Sequence, residues 1–175
     1  MAEALFDSPL GPLFAVASDA GLQRLEFVRG TSRKAGSEPL AISEADTPAQ
    51  RVLFETQRQL SEYFDGDRHD FDLPLDFEGT EFRKRVWQAI AAIPYGKTDS
   101  YAGVAVAAGA PGAYRAAGSA CGANPIAVIV PCHRVVGSDN ALHGYGGGMD
   151  VKTWLLQLEG SLAGLKGAQG SFALT

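Results

Sequence analysis

A chain of 175 residues with 46% hydrophobic and 20% charged residues is long enough to bury its own core and has the make-up of an ordinary globular protein. No apolar run approaches the roughly 18 residues of a membrane-crossing helix, and the acidic Glu3 and Asp7 sit where a secretory leader carries positive charge and an apolar segment. We therefore expect a cytoplasmic protein with reduced thiols and no membrane partner. The net charge of −5 argues against a simple polyanion binder, but residues 1–78 carry 7 Lys and Arg against 15 Asp and Glu while residues 79–160 carry 7 against 5, so the C-terminal part is mildly basic.

In chain order, "GPLFAVASDAGLQRLEF" holds two runs of alternating apolar residues around Asp19-Ala20-Gly21, which predicts a hairpin opening a small sheet. Residues 30–46 are rich in Gly, Ser, Lys and Glu and read as a surface loop. Thr47-Pro48 supplies an N-cap and a first-turn proline for a helix with Leu53, Leu60, Tyr63 and Phe64 on one face, stopping near Gly66. The acidic "DRHDFDLPLDFEG" reads as the passage between two domains. From Thr80, Phe82, Val86, Ile90 and Ile93 recur at helical spacing until Pro94. Ser100 caps a short helix through Ala108, Gly109 to Pro111 turn, and an Ala-rich helix runs from about Gly112 to Cys121: a helix-turn-helix candidate. An ordinary helical hairpin gives the same pattern. The DNA reading is favoured by Ala113, Ala116, Ala117, Gly118 and Ala120, which predict a thin surface for close approach to a nucleic-acid backbone. After Asn124-Pro125, "IAVIV" reads as a strand, Asp150 as the cap of a last helix with Val151, Trp154, Leu155 and Leu158 inward, and 161–175 as a loose tail.

The chemistry gathers at Pro131-Cys132-His133-Arg134. A thiol becomes a useful nucleophile when a cation, an imidazole or turn amides stabilise its thiolate. Adjacent side chains on extended backbone point apart, so we expect His133 to reach Cys132 through a water, with a buried carboxylate orienting the imidazole. Glu159 is the candidate carboxylate, although taken alone it also reads as a solvated helix-end glutamate, and a Cys-His pair as an inert buried thiol. The two cysteines, Cys121 and Cys132, have no zinc-ligand spacing, and a reducing compartment argues against a disulfide between them.

"IPYGKTDSYAGVAVAAG", "YRAAG", "NPIAVIVPCHRVVGSDNALHGYGGG" and "KTWLLQLEG" in this order resemble the O6-alkylguanine-DNA alkyltransferase family. The likeness extends to the N-terminal "SPLGPLFAVASDAGL" and "LSEYFDGDRHDFDLPLDFEGTEFRKRVW", and so covers essentially the whole chain. It implies an α/β (α+β) protein: a ribonuclease-H-like domain over residues 1–77, a winged helix-turn-helix DNA-binding and alkyl-acceptor domain over 78–160, and a flexible tail over 161–175. It also implies a monomer that acts on double-stranded DNA carrying O6-alkylguanine, with O4-alkylthymine as a second candidate, flips the base out, and moves the alkyl group once and irreversibly onto itself.

By match to the family's motifs, Cys132 is the acceptor, His133 the water-mediated base, Glu159 the residue that polarises it, and Asn124 the hinge between recognition helix and active-site turn. Tyr101 donates a proton to guanine N3, and Arg115 fills the space of the flipped base, with Ala116 and Gly118 beside it at the DNA. The carbonyls of Cys132 and Val135 accept from the guanine amine, and Tyr145 and Gly146 line the pocket wall. No cofactor is implied, and no metal, because no cysteine precedes Cys121 where some members hold zinc. Tyr114 departs from the small residue expected there, and Cys121 reads as structural. The alternatives are a non-catalytic binder of alkylation damage, which would have no use for the Cys132 thiol, and a cysteine hydrolase, which would leave the helix-turn-helix and Arg115 unexplained.

Overall fold

The structure is a computed structural model that describes residues 1–29 and 46–167. It divides into two compact units, Met1–Glu78 with Pro125–Ala127, and Gly79–Asn124 with Val128–Thr175. Among the described residues no helix is long and apolar enough to cross a membrane.

In the first unit, β1 (Ala2–Phe6), β2 (Leu13–Ala17) and β3 (Leu22–Phe27) form an antiparallel sheet with β2 in the centre. The hairpin expected around Asp19 is present, closed by Ser18 N–H donating to Gly21 O at 2.9 Å. A β-carbon on Gly21 would lie 2.6 Å from the Pro74 carbonyl oxygen, so only glycine fits that turn. β1 adds a strand to the two runs read in the sequence; its alternation buries Ala4 and Phe6 and leaves Glu3 outside. Helix α1 (Pro48–Phe64) starts as expected, with Thr47 and Gln50 forming a reciprocal capping box, and lays Leu53, Leu60 and Tyr63 on the sheet. The acidic segment read as an interdomain passage is largely part of this unit: Leu22 N–H donates to Pro74 O, Asp76 N–H to Leu22 O, and the Gln59 side chain clasps the Asp72 backbone. The expected loop over 30–46 lies outside the described residues except for Asp46.

In the second unit, α2 (Glu81–Ala91) is capped by Thr80 and buries Val86, Trp87 and Ile90. β4 (Asp99–Ser100) leads into α3 (Tyr101–Ala107), capped by Ser100, and Gly109 and Gly112, with φ of 77° and 85°, turn the chain into α4 (Tyr114–Gly122). Helices α3 and α4 pack on each other and on α2, which gives the helix-turn-helix arrangement. The thin surface expected of α4 is only partly on the outside: Ala117 and Ala120 are buried, with the Trp87 indole N–H donating to Ala120 O at 2.8 Å, while Ala116 is exposed and Gly118 half-buried. Short side chains are needed here for helix packing as much as for a DNA backbone.

The strand expected over 126–130 does not form. Ile126 makes a single bridge to Leu25, the chain then turns, and Val128 adopts a left-handed φ of 68°. The apolar run reflects burial alone, since Ile126, Val128 and Val130 are all inside, and the strained β-branched Val128 persists because its surroundings over-determine it. A 3-10 turn (Cys132–Arg134) follows, then β5 (Val135–Val136), parallel to β4. Helix α5 (Met149–Leu158) has Gly148, not Asp150, at its N-cap position, and Asp150 lies in the first turn. Residues 161–167, read as loose tail, are tied down through Lys166, which pairs by backbone hydrogen bonds with Asn140 and Leu142; residues 168–175 lie outside the described part.

Candidate active site

The 3-10 turn does what extended backbone would not: it folds Cys132, His133 and Arg134 inward, and all three are buried. Asn124, at the end of α4, reaches across to this turn. Its Nδ2 donates to Val130 O at 2.8 Å and to Cys132 Sγ at 3.1 Å, so one side chain fixes both the turn and the sulfur. The neighbouring Cys121 side chain is the largest influence on Cys132 and lowers its pKa; burial opposes it, but Asn124 and the charge of Lys152 act in the same sense as Cys121, and the Cys132 thiol is held below the ordinary cysteine range. Cys121 is pushed up correspondingly by Cys132 and by burial, because two neighbouring thiols do not both ionise. The residue read as structural thus acts on the candidate nucleophile.

His133 makes no direct bond to Cys132. Its Nε2 lies 2.9 Å from Glu159 Oε1, and its Nδ1 is buried with no partner. Glu159 caps the C-terminus of α5 with its side chain fully buried, which rules out the solvated helix-end reading. Arg134 grips the same carboxylate with two prongs, Nε to Oε2 at 2.9 Å and an η-nitrogen to Oε1 at 2.8 Å, and its other η-nitrogen donates to Ile93 O at 2.6 Å. Burial alone would raise the Glu159 pKa, but the bonds from His133 and Arg134 overcome it and hold the carboxyl at about 2. Burial, in contrast, lowers the His133 pKa. A neutral imidazole beside an ionised carboxylate must carry its proton on Nε2, which leaves the Nδ1 lone pair as a base.

Around this centre, Tyr101 opens α3, with its ring over Gly118 and edge-on to His143 at 5.9 Å between centroids. Burial, with the nearby thiols, pushes its hydroxyl up to about 12, so it is a proton donor at neutral pH. Tyr145 stands edge-on to His133 at 6.5 Å with its hydroxyl buried and unpartnered. Gly146 is exposed, with nothing within 4 Å of where a β-carbon would stand. The Val135 carbonyl already accepts from Lys152 Nζ at 2.8 Å, leaving one lone pair for another donor. Arg115 is exposed on α4 with its guanidinium 5.9 Å from the centre of the Tyr114 ring.

The Arg134 cation, which the sequence offers as a partner for the thiolate, is instead the clamp on Glu159. Sequence reasoning missed Lys152, which is buried on the inner face of α5 and braces the wall by donating to Val135 O and His143 O. The one signal for Lys152 is its place between Val151 and the apolar Leu155-Leu156 pair on the core-facing stripe. An open cleft of about 900 Å³ is lined by Tyr101, Tyr114, Gly118, Asp139 and His143. Among the described residues no three His, Cys, Asp or Glu side chains group to hold a metal ion.

The helix-turn-helix, the buried thiol and the carboxylate-bound imidazole thus lie in one unit, the second. Two family models match the chain: the 6-O-methylguanine DNA methyltransferase ribonuclease-like domain over residues 1–77 and the DNA binding domain of the same family over residues 81–161. The methylated-DNA--protein-cysteine methyltransferase of Methanosarcina barkeri is 44% identical over 155 residues, covering 89% of this chain and 94% of that one. The Mycobacterium tuberculosis protein of the same name is 46% identical over 157 residues, covering 90% and 91%. The crystal structure of Mycobacterium tuberculosis OGT in complex with DNA superimposes with a TM-score of 0.77 at 45% identity, covering 92% of this chain and 94% of that one. The chain belongs to the 6-O-methylguanine DNA methyltransferase family.

Proposed function

We propose that this chain repairs DNA as a methylated-DNA--protein-cysteine methyltransferase, binding double-stranded DNA as a monomer, flipping O6-alkylguanine out of the duplex, and transferring the alkyl group irreversibly to Cys132. The observation that carries the reading is the buried relay Arg134–Glu159–His133 beneath a thiol of lowered pKa. Residues 1–77 and 78–160 act as its two domains, the second carrying the chemistry, and the cytoplasm is the expected site of action.

Glu159 and Arg134 fix the neutral His133 tautomer, and Nδ1 takes the Cys132 proton through a water. The thiolate, accepting from Asn124, attacks the alkyl carbon as an S–C bond forms and the C–O bond breaks, and the electron pair leaves on guanine O6. Tyr101, protonated at neutral pH, supplies a proton to guanine N3, so the leaving base departs neutral. Asn124 holds the turn in register with α4, and Val135, Tyr145 and Gly146 line the guanine's place. Arg115, with Ala116 and Gly118 against the backbone, occupies the space of the flipped base and offsets part of the few kcal/mol that unstacking costs. The product is a thioether with no group poised to remove it, so each chain reacts once.

The test is stoichiometry. With O6-methylguanine duplex in excess, repaired guanine should level off at one per chain; repair continuing well beyond one per chain would contradict the single-use reading. O4-alkylthymine duplexes belong in the same assay.

A further inference from the structure

Tyr114 has no role in the chemistry above, yet it lines the same cleft as Tyr101. It is the first residue of α4, it is 50% exposed, and of the large apolar side chains exposed among the described residues it is the one that lines the 900 Å³ cleft. The other two rings lining the cleft, Tyr101 and His143, are set edge-to-face against each other. Tyr114 has no ring partner among the described residues; its neighbour is the Arg115 guanidinium over its face. An exposed phenol ring beside a stacked guanidinium, on the helix that presents small residues to DNA, is a surface suited to the flat face of a nucleobase.

We propose that Tyr114 is a base-stacking residue that holds a nucleobase adjoining the flipped guanine. The inference rests on the DNA-repair reading and deepens it. The guanine itself is destined for the buried sulfur, so the exposed ring is left to a base the flip has unstacked: the orphaned partner or a neighbour of the vacated step. Such a contact steadies the opened duplex without reading sequence, since every base offers a π-face. Because Tyr114 does not touch the reacting atoms, its effect falls on duplex affinity.

The experiment measures the Kd of the unreactive Cys132→Ser protein for an O6-methylguanine duplex by fluorescence anisotropy. In that background Tyr114→Ala should weaken binding about 5- to 150-fold, the range that matches base–aromatic stacking of ~1–3 kcal/mol, and Tyr114→Phe, which keeps the ring, should stay within about twofold of the parent. The loss should persist in an Arg115→Ala background, and it should disappear on one of three duplexes with an abasic residue opposite, 5′ or 3′ to the lesion, which identifies the stacked base. Equal affinity of Tyr114→Ala and its parent, disappearance of the loss when Arg115 is removed, or survival of the loss on all three abasic duplexes overturns the proposal. A Cys132→Ser parent that fails to bind the lesion duplex at all overturns the DNA-repair reading, and this inference with it, before Tyr114 is altered.

Discussion

Replacing Glu159 by Gln preserves shape and removes one charge, which separates what the relay does for stability from what it does for reactivity. The carboxylate accepts three bonds, at 2.9 Å from His133 and at 2.9 and 2.8 Å from Arg134. An amide cannot accept them all, and it leaves the Arg134 guanidinium buried and unpaired. Breaking one side of a buried ion pair typically costs about 3–5 kcal/mol. With a urea slope of about 2 kcal/mol/M, that moves the unfolding midpoint down by roughly 2 M. Reactivity should fall separately, because the amide does not fix the proton on Nε2, and a positioned base is worth about 10²–10⁴-fold in rate. The pair Arg134→Met with Glu159→Leu should recover much of the stability, since a buried pair replaced by apolar residues is often neutral, while the transfer rate stays low. Single-turnover transfer to methylated duplex and urea denaturation, read on the same preparations, decide it. A Glu159→Gln chain that transfers within threefold of wild type, or a double variant that regains its rate, would refute the relay.

Asn124→Ala removes both the turn bond to Val130 and the bond to the sulfur; it should cost about 1–3 kcal/mol in denaturation and slow transfer, and a variant with unchanged stability would contradict the hinge. Cys121→Ala removes the largest influence lowering the Cys132 pKa, so the pH midpoint for alkylation of Cys132 by iodoacetamide should rise; an unmoved midpoint sinks the claim that Cys121 tunes the Cys132 thiol. Stability should fall with acid in two stages. His133 has a folded pKa below the ordinary histidine value of 6.5, so below that pH the unfolded chain takes up a proton the folded chain refuses. Glu159, held at about 2 against an ordinary glutamate value of 4.5, adds stability that is complete above the unfolded value and is lost between the two, worth about 3 kcal/mol. Urea midpoints from pH 7 to pH 3 check this, and His133→Gln should abolish the first stage and shrink the second without removing it, since Arg134 still holds the Glu159 carboxyl down.

Much of the helical frame was legible because its signals are local. Thr47-Pro48, Thr80 and Ser100 name helix starts through chemistry that acts within three residues, and each caps where the sequence places it. The failures share a different origin. The run 126–130 looks like a strand because buried β-branched residues look alike whatever their backbone does, and only the surrounding packing puts Val128 in a left-handed conformation. Asp150 offers a cap, but the backbone starts α5 at Gly148, whose φ of 100° a side chain would resist. At the site, the Cys-His-Arg run announces chemistry, yet it does not say that Arg134 serves Glu159 rather than the thiol, because that partner lies 25 residues away. Lys152 shows its role only once the fold wraps it under the Val135 carbonyl, and Cys121 comes to act on Cys132, 11 residues on, only through the folded site.

The most direct measurement is the intact mass of the chain after incubation with excess duplex bearing one O6-methylguanine, followed by peptide mapping. The account predicts a gain of one methyl in place of one hydrogen, saturating at one per chain, located on Cys132 and absent from Cys132→Ala. An unmodified chain that still binds the lesion duplex, or a methyl group found on Cys121, would contradict it.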